Sequence, residues 1–130
     1  QTMKDDLLTD NEIYKENILD HFKNPRNEGQ LAKYNLQKRE VNPLCGDEIE
    51  IYLQIEDKKI KDISFKGKGC AISIATTSML TEYIKYKKLE QIKELSQKEL
   101  EELIHIKPSI VRLKCMMLGL NALKQAIKKC

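Results

Sequence analysis

Four cysteines and one aspartate could do chemistry in this sequence: Cys45, Asp47, Cys70, Cys115 and, at the last position, Cys130. They form no paired knuckle, and thiols so widely spread in 130 residues do not read as a disulfide framework. Scattered thiols leave three readings: buried core residues, a metal site assembled by the fold, or reactive thiols. Position weighs toward chemistry. Cys45 precedes a predicted strand, and Cys70 and Cys115 fall at or near predicted helix starts, where the helix dipole favours a thiolate. Lys66 and Lys68 come before Cys70, and Arg112 and Lys114 before Cys115, so positive charge is on hand to support ionised sulfur. Gly46 follows Cys45 and Gly69 precedes Cys70, leaving room for a bend or a bulky group. In an extended strand residues i and i+2 project to the same side. An extended Gly46 would therefore let Cys45 and Asp47 share one metal, whereas the plainer reading of Asp47 is a turn or edge aspartate. Three thiolates and one carboxylate suit Zn²⁺ or an iron–sulfur unit. The carboxylate is the weaker ligand for iron, so such a site would hold its cargo loosely. For Cys130 the plain reading is a tail thiol; an extra ligand or a disulfide partner in a dimer are the sharper ones.

The elements that must position these groups are legible from periodicity. "TDNE" forms a capping box between Thr9 and Glu12, with Leu8 and Ile13 as a staple across it. The helix that follows puts Tyr14, Ile18 and Phe22 on one face, and "NPRNEG" stops it. Residues 31–40 are polar and read as a loop feeding a short strand. From Glu48 the pattern alternates, with Ile49, Ile51, Leu53 and Ile55 to one side and Glu48, Glu50, Tyr52 and Gln54 to the other. "EDKK" turns the chain, and "IKDISFKG" returns as an antiparallel partner with Ile63 and Phe65 inward. A helix starting near Cys70 presents Ile72, Ala75, Met79 and Tyr83 on one face. After the short amphipathic "LEQIKEL", Ser96 and Glu99 cap another helix, and Pro108 and Ser109 open the last. That last helix has a core stripe of Leu113, Met116, Leu120, Leu123 and Ile127. A second stripe of small residues, Cys115, Gly119, Ala122 and Ala126, invites the close approach of a neighbour.

A chain of this size can bury a core without staples and reads as one domain over 1–130, with 1–10 a flexible start and Met3 the natural first residue. Lys and Arg exceed Asp and Glu by 23 to 20, and the charges are interspersed, which argues against nucleic acid as a partner. No signal peptide or long apolar run is present in this sequence, so no membrane partner is expected and the cytoplasm is the expected compartment.

Taken together, the motifs resemble the U-type iron–sulfur cluster assembly scaffolds, the IscU and SufU family. "YKENILDHFKNPRNEG" is similar to the family's opening segment. "NPLCGD", "FKGKGCAISIATTSMLTEYI" and "RLKCMMLGLNALKQAI" are similar to its three cysteine motifs, in order. The likeness runs from about Tyr14 to Ile127. It implies an α+β fold, in which a small antiparallel three-stranded sheet carries the N-terminal helix and the C-terminal helices. It implies Cys45, Asp47, Cys70 and Cys115 as ligands of iron or a [2Fe–2S] cluster, with Zn²⁺ an occupant of the same residues. Cys115 becomes the acceptor of persulfide sulfur, and Tyr14 matches a tyrosine tied to reductive and dimer steps in some members. The implied partners are a cysteine desulfurase, an electron donor, iron–sulfur acceptor proteins and a second copy of the chain when loaded with cluster. The implied role is that of a scaffold or carrier, not an enzyme.

Two departures qualify the likeness. Lys114 stands where IscU-type members have histidine before the third cysteine, and no double-proline segment precedes it, so docking of the chaperone that reads this segment is not implied. His105 is not the equivalent histidine. "RLKC" is SufU-like, yet the spacing from Cys70 to Cys115 lacks the SufU-type insertion. Two further functions are therefore carried: a zinc-dependent sulfurtransfer partner of the desulfurase, and, last, a purely structural zinc module.

Overall fold

The alternating stretch becomes the centre of a three-stranded sheet in the computed structural model, which describes residues 16–44 and 46–128. Strand β2 (Asp47–Glu56) lies between β1 (Leu36–Asn42) and β3 (Lys59–Lys68), antiparallel to both. Around it stand α1 (Glu16–Lys23), α2 (Ala71–Ile84), α3 (Leu89–Lys93), α4 (Gln97–Ile104) and α5 (Ile110–Ile127). The architecture is the expected α+β one. The segment from Tyr14 back to the first residue, with the Thr9–Glu12 box and the Leu8–Ile13 staple, lies outside the described residues, as do Cys45 and Cys130.

Register explains which face of the sheet is buried. Ile51 pairs with Phe65 and Leu53 with Ile63, so these four side chains and Ile49 share one face, and each is at most 1% exposed. On that face pack α2 and α5. The hairpin between β2 and β3 closes through Asp57 and Lys58, both with positive φ (53° and 60°), which matches the strands' twist in a two-residue turn. Both sheet edges are protected. Lys38 and Glu40 of β1 sit half-buried on the core side, opposite Ile51 and Ile49, and inward charges blunt an edge strand. Along β3, "NPRNEG" covers the edge: Phe65 N–H donates to the Asn27 carbonyl at 2.9 Å, and Gly29 N–H to the Phe65 carbonyl at 2.8 Å. Backbone Arg26 and the Asn27 amide also donate to Ser78 and Thr81 of α2.

Helix α2 is the central element and is buried almost all round. Its hydroxyls turn back on the helix: Thr77 donates to the Ser73 carbonyl and Thr81 to the Ser78 carbonyl, each at 2.7 Å. The small-residue stripe of α5 meets α2, and all four of its members are buried. A methyl added at Gly119 would lie 3.1 Å from Thr77 Cβ, so the two helices touch there through a glycine.

Several side chains depart from their expected faces. Tyr52 is only 3% exposed although it lies on the outer side of β2, because Tyr34 covers it edge-on at 5.1 Å. Its hydroxyl donates to Glu50 at 2.5 Å, and burial together with that carboxylate pushes Tyr52 up to about 12. Tyr83 is 41% exposed, with the Lys87 ammonium 4.4 Å above its ring, because α2 turns its last face to solvent. Phe22 is also largely exposed. Two-turn α1 docks through Ile18 and a polar seam instead: Asn17 donates to the Ile104 carbonyl at 2.9 Å, and His21 Nδ1 bonds Ser78 at 2.7 Å. Leu113 and Ile55 are half-buried.

Candidate metal centre

Three elements converge at one end of the sheet. Asp47 is the first residue of β2, paired with Asn42 at the end of β1. Cys70 is the N-cap residue of α2 (φ −76°, ψ 166°), and its own side chain makes no capping bond. Cys115 lies in the second turn of α5, on the small-residue stripe that packs against α2. One ligand atom from each of Asp47, Cys70 and Cys115 falls within 4.8 Å of the others. Asp47 and Cys115 are buried, whereas Cys70 is half-exposed and Gly69 exposed, so solvent reaches the trio on the α2 side.

The carboxylate of Asp47 is held by the start of α2. Cys70 N–H donates to Oδ1 at 3.3 Å, and Ser73 Oγ donates to Oδ2 at 3.4 Å. From another element, Asp47 thus accepts a hydrogen bond from one of the backbone N–H groups left free at the start of α2. Cys70 Sγ lies 3.8 Å from Oδ2 and 3.7 Å from Ser73 Oγ. Gly69 makes this approach feasible: its φ is +150°, and a methyl there would lie 2.7 Å from Asp47 Cγ. The expected glycine at Cys70 therefore serves the carboxylate first.

Electrostatics at Cys115 differ from the sequence expectation. Burial pushes its thiol well above the ordinary range, and the hydrogen bond to Asp47 and the nearness of Cys70 push the same way. Arg112 and Lys114 were the expected thiolate support, but neither is among the neighbours that shift Cys115. Lys114 is exposed, and the second-turn position puts the sulfur past the reach of the helix dipole. Near Cys70, Lys68 is engaged by Glu48 at 2.9 Å, and Arg39 pairs with the same carboxylate. Of the two conformations open to Gly46, extended or turned, the structure shows the turn. Its φ is +75° and its N–H donates to the Asn42 carbonyl at 2.8 Å, so a turn, not strand alternation, separates the two residues. Sequence reasoning missed Ser73; its signal was a hydroxyl three residues after the N-cap, where a side chain can reach back across the helix start.

The NifU-like N terminal domain family matches residues 13–130. The chain belongs to that family. Among family relatives, the iron–sulfur cluster assembly scaffold protein IscU 1 of Archaeoglobus fulgidus is 36% identical over 88% of this chain and 74% of its own length. The scaffold IscU of Aquifex aeolicus is 41% identical with the same coverage, and that of Rickettsia prowazekii 36% identical over 88% of both chains. A crystal structure of the SUF-system scaffold of Fervidobacterium islandicum superposes with TM-score 0.75 at 28% identity, covering 88% of this chain and 96% of that one. A NifU-like N-terminal protein of Brucella abortus, 18% identical with TM-score 0.77, shares the fold. The relatives are named as scaffold proteins. Among the described residues no helix is long and apolar enough to cross a membrane.

Proposed function

We propose that this NifU-like domain is a scaffold on which a [2Fe–2S] cluster is assembled and from which it passes to acceptor proteins. The observation that carries the reading is the convergence of Asp47, Cys70 and Cys115 within 4.8 Å, at a place open to solvent on one side. The names of the relatives support the same role. Cys45, two residues before Asp47, is the fourth ligand of the proposal. Cys115 receives sulfur from a cysteine desulfurase. Its thiolate attacks the outer sulfur of the donor's persulfide, a new S–S bond forms at Cys115, and the donor's S–S bond breaks to leave a thiolate. The Cys115 thiol gives up its proton before the attack and the departing donor thiolate takes one up, so the transfer releases no net proton. Two electrons from a separate donor then split the Cys115 S–S bond into thiolate and sulfide. Iron enters among thiolates and one carboxylate, and the carboxylate, the weakest of the four ligands, opens first on transfer.

The deciding experiment supplies iron, cysteine and a desulfurase to the reduced protein without oxygen. Iron and acid-labile sulfide in equal amounts, with sulfide-to-iron charge-transfer absorption, are expected. Sulfide that never appears on the protein overturns the scaffold role. One alternative has specific support: "RLKC" and the likeness to the SUF-system scaffold favour a zinc-dependent sulfurtransfer partner, in which the same residues hold Zn²⁺ and Cys115 leaves it to accept sulfur. Stimulation of the desulfurase by zinc-loaded protein with iron absent would favour it.

A further inference from the structure

Ser73 is fully buried, and its single hydroxyl proton faces three acceptors: the Cys70 carbonyl at 3.1 Å, Asp47 Oδ2 at 3.4 Å and Cys70 Sγ at 3.7 Å. A helix hydroxyl of this kind ordinarily bonds back to its own turn, as Thr77 and Thr81 do. Ser73 differs because two of its acceptors are ligand atoms of the trio. With the Cys70 N–H on Oδ1, both oxygens of Asp47 are occupied by the start of α2. A hydrogen bond to a carboxylate stabilises it in place, and an oxygen so engaged is less available to a metal.

We infer that Ser73 is a positioning residue which competes with the metal for Asp47, giving the carboxylate a second resting place on α2. The inference rests on the reading of Asp47 as a ligand. Asp47 then moves between two partners, a cation on one side and the Ser73 hydroxyl with the Cys70 N–H on the other. The hydroxyl lowers the metal affinity of the site and eases release, while the Cys70 carbonyl gives its proton a local acceptor whenever Asp47 leaves.

The test is Co²⁺ titration, followed by Zn²⁺ competition, of wild type, Ser73→Ala, Asp47→Ala and the double variant. Losing one weak hydrogen bond to a charged group should tighten Co²⁺ binding about fivefold in Ser73→Ala. Zn²⁺ should also leave more slowly to a chelator, and the thiolate-to-cobalt bands should keep their position. In the Asp47→Ala background most of the gain should vanish, leaving only what Ser73 exerts directly on Cys70 Sγ. Equal or weaker binding by Ser73→Ala overturns the inference, as does a gain that persists undiminished without Asp47. Failure of the underlying reading looks different: wild type would then bind Co²⁺ without thiolate bands, or Asp47→Ala would leave affinity unchanged, and this inference falls with it.

Discussion

At the scale of the residue, the site is a balance between donors to one carboxylate. Asp47 faces two donors from the start of α2, the Cys70 N–H and the Ser73 hydroxyl, so its carboxylate is held in place on the α2 side. Asp47→Ala should therefore lengthen the lifetime of an assembled cluster several-fold, measured as the decay of its visible absorption in the presence of an acceptor. A cluster that never forms in that variant removes Asp47 from the release step. Cys115 adds a pH dependence. Its thiol ionises well above the ordinary value of 9.0 because it is buried beside a carboxylate. A metal must displace that proton, so apparent zinc affinity should rise with pH from 6 through 9, about one proton being released from this residue per metal. The same shift bears on stability. Above pH 9.0 the unfolded thiol ionises while the folded one stays protonated, so the stability present below 9.0 is lost as pH climbs. Cys115→Ala should flatten that alkaline limb in thermal melts of the protein without metal.

At the scale of the element, two contacts decide whether the trio meets. Helix α5 comes close enough for Cys115 to face Cys70 and Asp47 because Gly119 lies against Thr77. Gly119→Ala should cost about 1–3 kcal/mol by overpacking, read by urea unfolding. It should also weaken metal binding, and Thr77→Ala should recover part of both. Helix α1 is fastened differently, by polar groups. Burial holds His21 below its ordinary range, and the Arg26 charge adds to the shift, whereas Glu82 at 3.7 Å and Asp20 oppose it. A depressed imidazole means the unfolded chain takes up its proton first, so stability present above pH 6.5 should fall as pH drops through the folded value. Melting temperatures compared at pH 7.5 and 5.5 check this, and His21→Asn should shrink the difference. The helices and the β2–β3 hairpin were legible at this scale, because periods of two and of three to four survive single exceptions. The β1 strand was less so: "LQKREV" carries inward charges that protect an edge, and those charges hide its alternation.

At the scale of the whole molecule, the site ties together positions that the chain keeps far apart, while most of the core is built from other residues. Ile49, Ile51, Leu53, Ile63 and Phe65 belong to a large apolar core against α2 and α5, to which Cys115 adds one side chain at the edge nearest the site. Removing zinc with a chelator should therefore lower the melting temperature without unfolding the protein. At free zinc a hundred times its dissociation constant the loss is about 2.7 kcal/mol. Far-ultraviolet circular dichroism should be unchanged at 25 °C. Collapse of the secondary structure on chelation would instead favour a structural zinc module.

The sequence by itself determined the element order, most of the core stripes and the list of candidate ligands, while Phe22 and Tyr83 fell outside the core. Each of these depends on local chemistry: a side-chain period, a cap, a breaker, or a thiol with its neighbours. The motifs also carried the resemblance, and membership in the family followed from comparison of the chain alone. Tertiary structure decided the rest. It brought Asp47, Cys70 and Cys115 to one point, turned Gly46 out of the extended conformation, and set the Asp47 carboxylate against Gly69. It also reversed the expected electrostatics at Cys115, because the burial of a thiol is set by which helices meet, and a list of nearby lysines says nothing of where they point. Ser73 belongs to this second group. A serine in a helix reads as ordinary until the fold places a buried carboxylate 3.4 Å from its oxygen.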